Sequence, residues 1–160
     1  MIDWLTGTLS GKIIATFFMS MLPVGELRVG LPYGLALGLD LPVAMVTAIL
    51  GNMVPVPFII IYISRVFKWM RRHMPVLDSF ITKLENKANV KGETVEKYGP
   101  IGLLAFVAIP LPGTGAWTGA LVAALLNMKV RKATPFIFIG VCSAAIIVML
   151  ITLGVIHVVF

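Results

Sequence analysis

Apolar residues fall into four long blocks along this chain, and the blocks are of two kinds. Positions 41 to 64 and 133 to 160 contain no charged side chain. Each is long enough for the roughly 20-residue helix that crosses a hydrocarbon core, so each predicts one complete transmembrane helix. The blocks from Lys12 to Leu39 and from Gly99 to Met128 are interrupted at their middles. The first carries Glu26 and Arg28 among Pro23, Gly25, Gly30, Pro32 and Gly34, and the second carries Pro110, Pro112, Gly113, Gly115 and Gly119. Proline removes a helix donor and glycine permits sharp bends, so both blocks are expected to break near their centres, the first across Leu22 to Tyr33. At roughly 30 residues each, they are too short for two crossings and suit two half-helices that enter and leave on one side.

The basic residues give a topology. Eight Lys/Arg lie between Arg65 and Lys97, and a second cluster is Lys129, Arg131 and Lys132. Cytoplasmic segments are enriched in Lys and Arg, which places both clusters on that side. The block between them must then return to the face it left, as a re-entrant hairpin. Counting back through the helix at 41 to 64 puts Asp40 outside, and a first hairpin puts Asp3 outside too. The hairpins then dip from opposite faces, each followed by one span. A gap-free shift of 89 residues supports such an internal repeat: it pairs Phe17 with Phe106, Leu22 with Leu111, Pro23 with Pro112, Gly30 with Gly119, Ala44 with Ala133 and Gly51 with Gly140.

The fold expected is all-α and integral to the membrane. It is a single membrane domain over 1–160 with two oppositely oriented re-entrant hairpins and two spans: an inverted repeat of 8–64 and 99–160, joined by a cytoplasmic amphipathic helix over 65–98. In that connector Phe80, Ile81 and Leu84 share one face, after Val76 and Leu77, while Lys83, Lys87 and Lys91 point elsewhere; Glu93 and Lys97 have helical ion-pair spacing. Such a helix suits the anionic surface of a cytoplasmic leaflet, or a partner protein.

Composition narrows the function. Hydrophobic residues make up 59% and charged residues 12%, with mean hydropathy +1.00, well away from an ordinary soluble domain. The net charge of +6 sits mostly between apolar blocks, where it orients the chain in a membrane; no nucleic-acid partner is expected. Cys142 is the one cysteine, which excludes an intrachain disulfide. His73 and His157 are far apart and carboxylates are not clustered, so no metal site, hydrolytic triad or cofactor is expected. The Gly-Thr-Gly at 113–115 lacks the Lys-Ser/Thr of a nucleotide-phosphate loop. The start of the chain has no basic leader or cleavage pattern, so a removable signal peptide is not expected.

The candidate chemistry sits at the two breaks. Charged side chains at membrane depth are costly and mark substrate or proton paths. Glu26 and Arg28 either neutralise each other, or lie in water, or act separately, Arg28 on an anionic group and Glu26 on a cation or proton. The second break offers Gly113, Thr114, Gly115, Trp117 and Thr118 beside Pro112. Its following half-helix presents N–H groups that suit an anion, or it is simply a turn of small residues. Trp117 is placed to stack on a substrate or to pack at an interface. Asn52 is placed to hydrogen-bond a neighbouring helix or to bind substrate, and with Pro55 and Pro57 it predicts a kink in the first span that leaves carbonyls free toward the centre. Substrate-binding or coupling residues are therefore sought among Glu26, Arg28, Pro32, Asn52, Pro112, Gly113, Thr114, Gly115, Trp117 and Thr118.

Glu26-Leu-Arg28 with Pro32, the run Pro110-Leu-Pro-Gly-Thr-Gly-Ala-Trp-Thr-Gly119, and the entry Lys97-Tyr-Gly-Pro100 together resemble the small multidrug export protein family, over nearly the whole chain. That family is similar in turn to the DedA (VTT-domain) membrane proteins, which have opposed re-entrant hairpins and are linked to transport or flipping of phosphate-bearing lipids. DedA relatives carry an arginine beside Pro-Gly in the second hairpin, whereas here the arginine is Arg28 in the first. The resemblance implies a non-enzymatic transporter of the cytoplasmic (inner) membrane, exporting small amphipathic molecules with proton or ion coupling. Flipping of phosphate lipids and a non-transporting membrane scaffold are the alternatives. Two spans alone enclose little, so a homodimer or higher homo-oligomer is expected.

Overall fold

The computed structural model describes residues 7–74, 78–79, 81–83, 85–86, 97–111 and 113–159. Seven helices of nine residues or more are present, and no strand among the described residues. Helices α1 (Leu9–Met21) and α2 (Glu26–Ala36) flank the first break, and α5 (Pro100–Ala108) and α6 (Ala116–Leu125) flank the second. Each broken pair is followed by a long rod: α3 (Leu41–Met53) with α4 (Pro55–His73), apolar as far as Ile63, and then α7 (Val130–Val159).

Length separates the two kinds. The four flanking helices have 13, 11, 9 and 10 residues. At 1.5 Å per residue they reach ~14–20 Å, roughly half of a hydrocarbon core. Leu41–Ile63 and Val130–Gly154, of 23 and 25 residues, are long and apolar enough to cross one. The outer surface is correspondingly greasy, with Phe18, Phe58, Ile139 and Leu150 all exposed. The core mixes Leu, Ile and Val, such as Leu27, Leu31 and Ile137, with small side chains such as Ala44, Ala48, Ala120 and Ala133, each fully buried. That composition suits helices that approach closely without a hydrophobic effect between them.

The 89-residue register reappears in the backbone, at positions the side chains do not advertise. At the end of α2, Leu37, Gly38 and Leu39 donate to the carbonyls of Tyr33, Leu35 and Gly34. At the end of α6, Leu126, Asn127 and Met128 donate to those of Val122, Ala124 and Ala123. Every partner differs by 89. The left-handed residue of each cap is Gly38 (φ +79°) and Asn127 (φ +52°), the two residue types that tolerate that conformation best. The next helices start alike, with Ala44 donating to Asp40 and Ala133 to Lys129. Packing repeats too: α1 lies on α3, and α5 on α7. The second helix of each hairpin reaches into the other half, α2 against α7 and α6 against α4.

Several expected boundaries move. The first break is only Leu22–Gly25, and the helix resumes at Glu26 with Pro32 inside it rather than extending as open chain to Tyr33. Proline has helical φ and deletes a single donor, so a helix already held on both sides accommodates it. Gly30, Gly34 and Gly119 likewise lie within helices, where they permit close approach instead of bending the chain. The first long rod is interrupted only at Val54, before Pro55. Its helix then runs past Ser64 to His73, with Phe67 buried, so the basic segment begins as a continuation of the span. The second span starts at Val130, ahead of Ala133. Of the connector, Ile81 is fully buried and Lys83 exposed, and Arg71 pairs with Asp78 at 3.0 Å and with Glu85. Val76, Leu77, Phe80, Leu84, Lys87, Lys91 and Glu93 lie outside the described residues, as do Asp3 and Phe160.

Candidate functional site at the hairpin tips

The two breaks meet, and the charged side chains of the first are bound to the second. Glu26 opens α2 with φ +50°, a left-handed conformation that is unfavourable for a side-chain-bearing residue. This turns its carboxylate across to α6, where Oε1 accepts the Trp117 N–H at 3.2 Å and the Ala116 N–H also faces it. The group is 7% exposed. The first N–H groups of a helix have no intrahelical acceptor and carry the positive end of its dipole. The anion expected at that helix start is therefore supplied by the protein itself. Gly115 is required by this geometry, since a Cβ there would stand 1.7 Å from Glu26 Oε2.

Arg28, half a turn further along α2, holds the tip from the other side. Its Nη2 donates to the Thr114 carbonyl, to Thr114 Oγ1 at 3.0 Å and to the Ile109 carbonyl at 3.3 Å. Thr114 organises the same turn: its hydroxyl accepts the Leu111 N–H at 3.1 Å and lies 2.6 Å from the Ile109 carbonyl, to which it can donate. Gly113, at φ +78°, supplies the bend. Trp117 completes the exchange by donating its indole N–H to the Met21 carbonyl at 3.0 Å, at the end of α1. Thus the first hairpin caps α6 and the second caps α1. Glu26 and Arg28 direct their hydrogen bonds to the opposite tip while their charges still attract each other.

Among the described residues, three apolar clefts adjoin Trp117. One of about 440 Å³ is bounded by Met19, Met21, Pro23 and Tyr33; one of about 340 Å³ by Met21, Val54, Pro55 and Phe58; one of about 400 Å³ by Pro23, Ile59, Ile63 and Thr118. Trp117 lines all three. Because its indole N–H is tied to Met21, the ring is a fixed wall between them.

Of the residues singled out in the sequence, Glu26, Arg28, Thr114, Gly115 and Trp117 come together at this junction, with Gly113 at its exposed edge. Thr118 faces the third cleft. Pro32 lies within α2, four residues beyond Arg28. Asn52 stands apart, buried near the end of α3. Pro112 lies outside the described residues. Sequence reasoning missed the carbonyls of Met21, Ile109 and Thr114, since every residue has a carbonyl and only folding selects which ones lose their helical donors. It also missed Ile59 and Ile63, which carry no chemical signature. Among the described residues no cluster of three or more His, Cys, Asp or Glu could hold a metal.

No curated protein and no solved structure matches this chain. A family model described as "Putative small multi-drug export protein" matches residues 26–147, a stretch that begins at Glu26 and contains the whole second tip. With most of its length matched and two helices fit to cross a membrane, the chain belongs to that small multi-drug export family.

Proposed function

We propose that this protein is an ion-coupled membrane transporter that exports small amphipathic molecules, with the substrate passing where the hairpin tips meet. In this reading the four short helices form two re-entrant hairpins that dip from opposite faces, and α3–α4 and α7 span the bilayer. The exchange of α2 and α6 between the halves is how an inverted repeat brings two half-length hairpins together near the midplane. The observation that carries the reading is the clamp. Two charged side chains from one hairpin hold the backbone of the other, beside apolar clefts that share Trp117.

A clamp made of a few hydrogen bonds can be opened without unpacking a core. Loss of the Glu26 charge weakens its hold on the α6 amides, because hydrogen bonds to charged groups are stronger than neutral ones, by roughly a factor of two. Glu26 is thus the coupling group and Arg28 the restraint that returns the tip. The apolar clefts suit the greasy part of an amphipathic substrate. The bonds of Arg28 to neutral carbonyls favour this over flipping of a phosphate lipid, where the guanidinium would be the headgroup contact. We further propose that a homodimer in the inner membrane completes the enclosure.

The test is flux of a fluorescent lipophilic cation into protein-loaded liposomes, for the wild type, Glu26→Gln and Arg28→Ala. Wild-type flux should exceed that of empty liposomes, and both substitutions should lower it at least about tenfold, the effect of ~1.4 kcal/mol on a rate-limiting step. Wild-type liposomes no faster than empty ones, with loss of function on replacing Lys83, would point to a scaffold instead.

A further inference from the structure

The kink of the first span carries chemistry that the hairpin clamp does not use. Asn52 is 3% exposed, and among the described residues no donor reaches its Oδ1. A buried amide oxygen without a partner costs about 1–3 kcal/mol, so a transmembrane segment keeps one where something else completes it. The same turn is short of donors for a second reason. Pro55 and Pro57 have no N–H, so the carbonyls of Gly51 and Met53 lose the donors that residues four positions on would supply. The interruption at Val54, which itself donates to Leu50 at 3.2 Å, is the visible result. A further oxygen closes on this turn from α1: a Cβ on Gly51 would lie 2.3 Å from the Phe17 carbonyl, so the glycine exists to let that carbonyl approach.

One buried side-chain oxygen without a donor, next to two carbonyls whose helical donors are replaced by proline and with no carboxylate on the turn, suits the coordination preferences of a hard monovalent cation. A divalent ion would need anionic ligands to offset its dehydration. A proton has no titratable side chain here to hold it. We propose that Asn52 Oδ1, with the freed carbonyls of the Gly51–Met53 turn, binds Na⁺ or a similar monovalent cation. The turn adjoins the substrate clefts, because Val54 and Pro55 line one of them together with Met21 and Trp117. The cation would thereby stiffen the kink against which the second tip closes. Its role as a coupling ion rests on the transport reading; its binding does not.

The experiment is thermal unfolding of the detergent-purified protein in NaCl, KCl and choline chloride at equal ionic strength. The wild type should gain several degrees, saturably, in Na⁺ or K⁺ over choline, since a ligand that binds only the folded state stabilises it by mass action. Asn52→Leu should lose that increment. Asn52→Asp should keep it and reach half-saturation at a cation concentration about tenfold lower, as added ligand charge tightens cation sites. Identical curves in all three salts would overturn the proposal, as would an undiminished increment in Asn52→Leu. Should Asn52→Leu fail to fold, an unchanged half-saturation point in Asn52→Asp overturns it. None of these readouts involves flux, so a cation increment without transport removes the transporter reading alone, and flux without the increment removes the cation site alone.

Discussion

In the first hairpin Gly30 lies against Ser20 and Gly34 against Thr16, so closely that an added Cβ would stand 1.8 and 2.8 Å from those side chains. Helices α1 and α2 therefore hold each other. In the second hairpin an added Cβ at Gly119 would crowd the side chain of Val107, at 2.6 Å, with Leu103 and Ile137 at ordinary contact distance, and the tip is gathered by Thr114 and by two charged groups borrowed from the first. The backbone plan is shared through the 89-residue register, but the chemistry is divided. The first hairpin carries the charges and the tight packing; the second carries the turn on which they act. The shared register covers helix ends and close approaches, which are backbone matters. It leaves side chains free to specialise, and here specialisation made one tip the holder and the other the held.

Glycines at matching places test that asymmetry most severely. A Cβ at Gly51 would meet the Phe17 backbone oxygen at 2.3 Å, whereas at Gly140 it would meet Val107 Cβ at 2.8 Å and the Leu104 oxygen at 3.0 Å. Gly51→Ala should cost about 3 kcal/mol because backbone cannot step aside, and Gly140→Ala about half that, as overpacked sites do when neighbours shift a little. Thermal unfolding in detergent measures both, and equal losses would mean the two halves are packed alike.

Removing the holder should come next. Glu26→Ala should destabilise by about 2 kcal/mol, the scale of hydrogen bonds to a charged group. Hydrogen exchange should quicken at 116–118 in α6 while α1 stays protected. Uniform quickening along both hairpins would argue that Glu26 supports the whole fold rather than the second tip. Within the held turn, Thr114→Val removes a hydroxyl that serves Leu111, Ile109 and Arg28, and should cost about 1–2 kcal/mol. Thr114→Ser, which keeps the hydroxyl, should be close to neutral in the same assay.

The smallest effects belong to the matched caps. Gly38→Ala should lose about 1 kcal/mol, the cost of a Cβ in the left-handed region. Asn127→Gly should change stability by only a few tenths, since asparagine already tolerates that conformation. A large loss at Asn127 would show its side chain to have a role beyond the cap.

Much of this arrangement can be traced to individual residues. The uncharged runs at 41–64 and 133–160 required long apolar helices, because nothing in them favours water, and the prolines and glycines at 23–25 and 110–115 required breaks. Candidate site residues were legible because a carboxylate, a guanidinium and an indole are conspicuous in such company. Pro32 misled, since proline in sequence looks the same whether it ends a helix or is tolerated within one. The 89-residue pairing of Gly38 with Asn127 was hidden because a cap is defined by φ and by carbonyl partners rather than by residue identity.

Composition and periodicity thus determined an all-helical chain with two membrane-length helices and two broken ones, because hydration and the loss of backbone donors act locally. Tertiary structure alone decided that Glu26 caps α6, that Arg28 seizes the Thr114 turn and that Trp117 walls clefts formed with α1 and α4. Each joins residues far apart in the chain through backbone groups that every sequence possesses. Only the packing of helices selects which of those groups are free to be met.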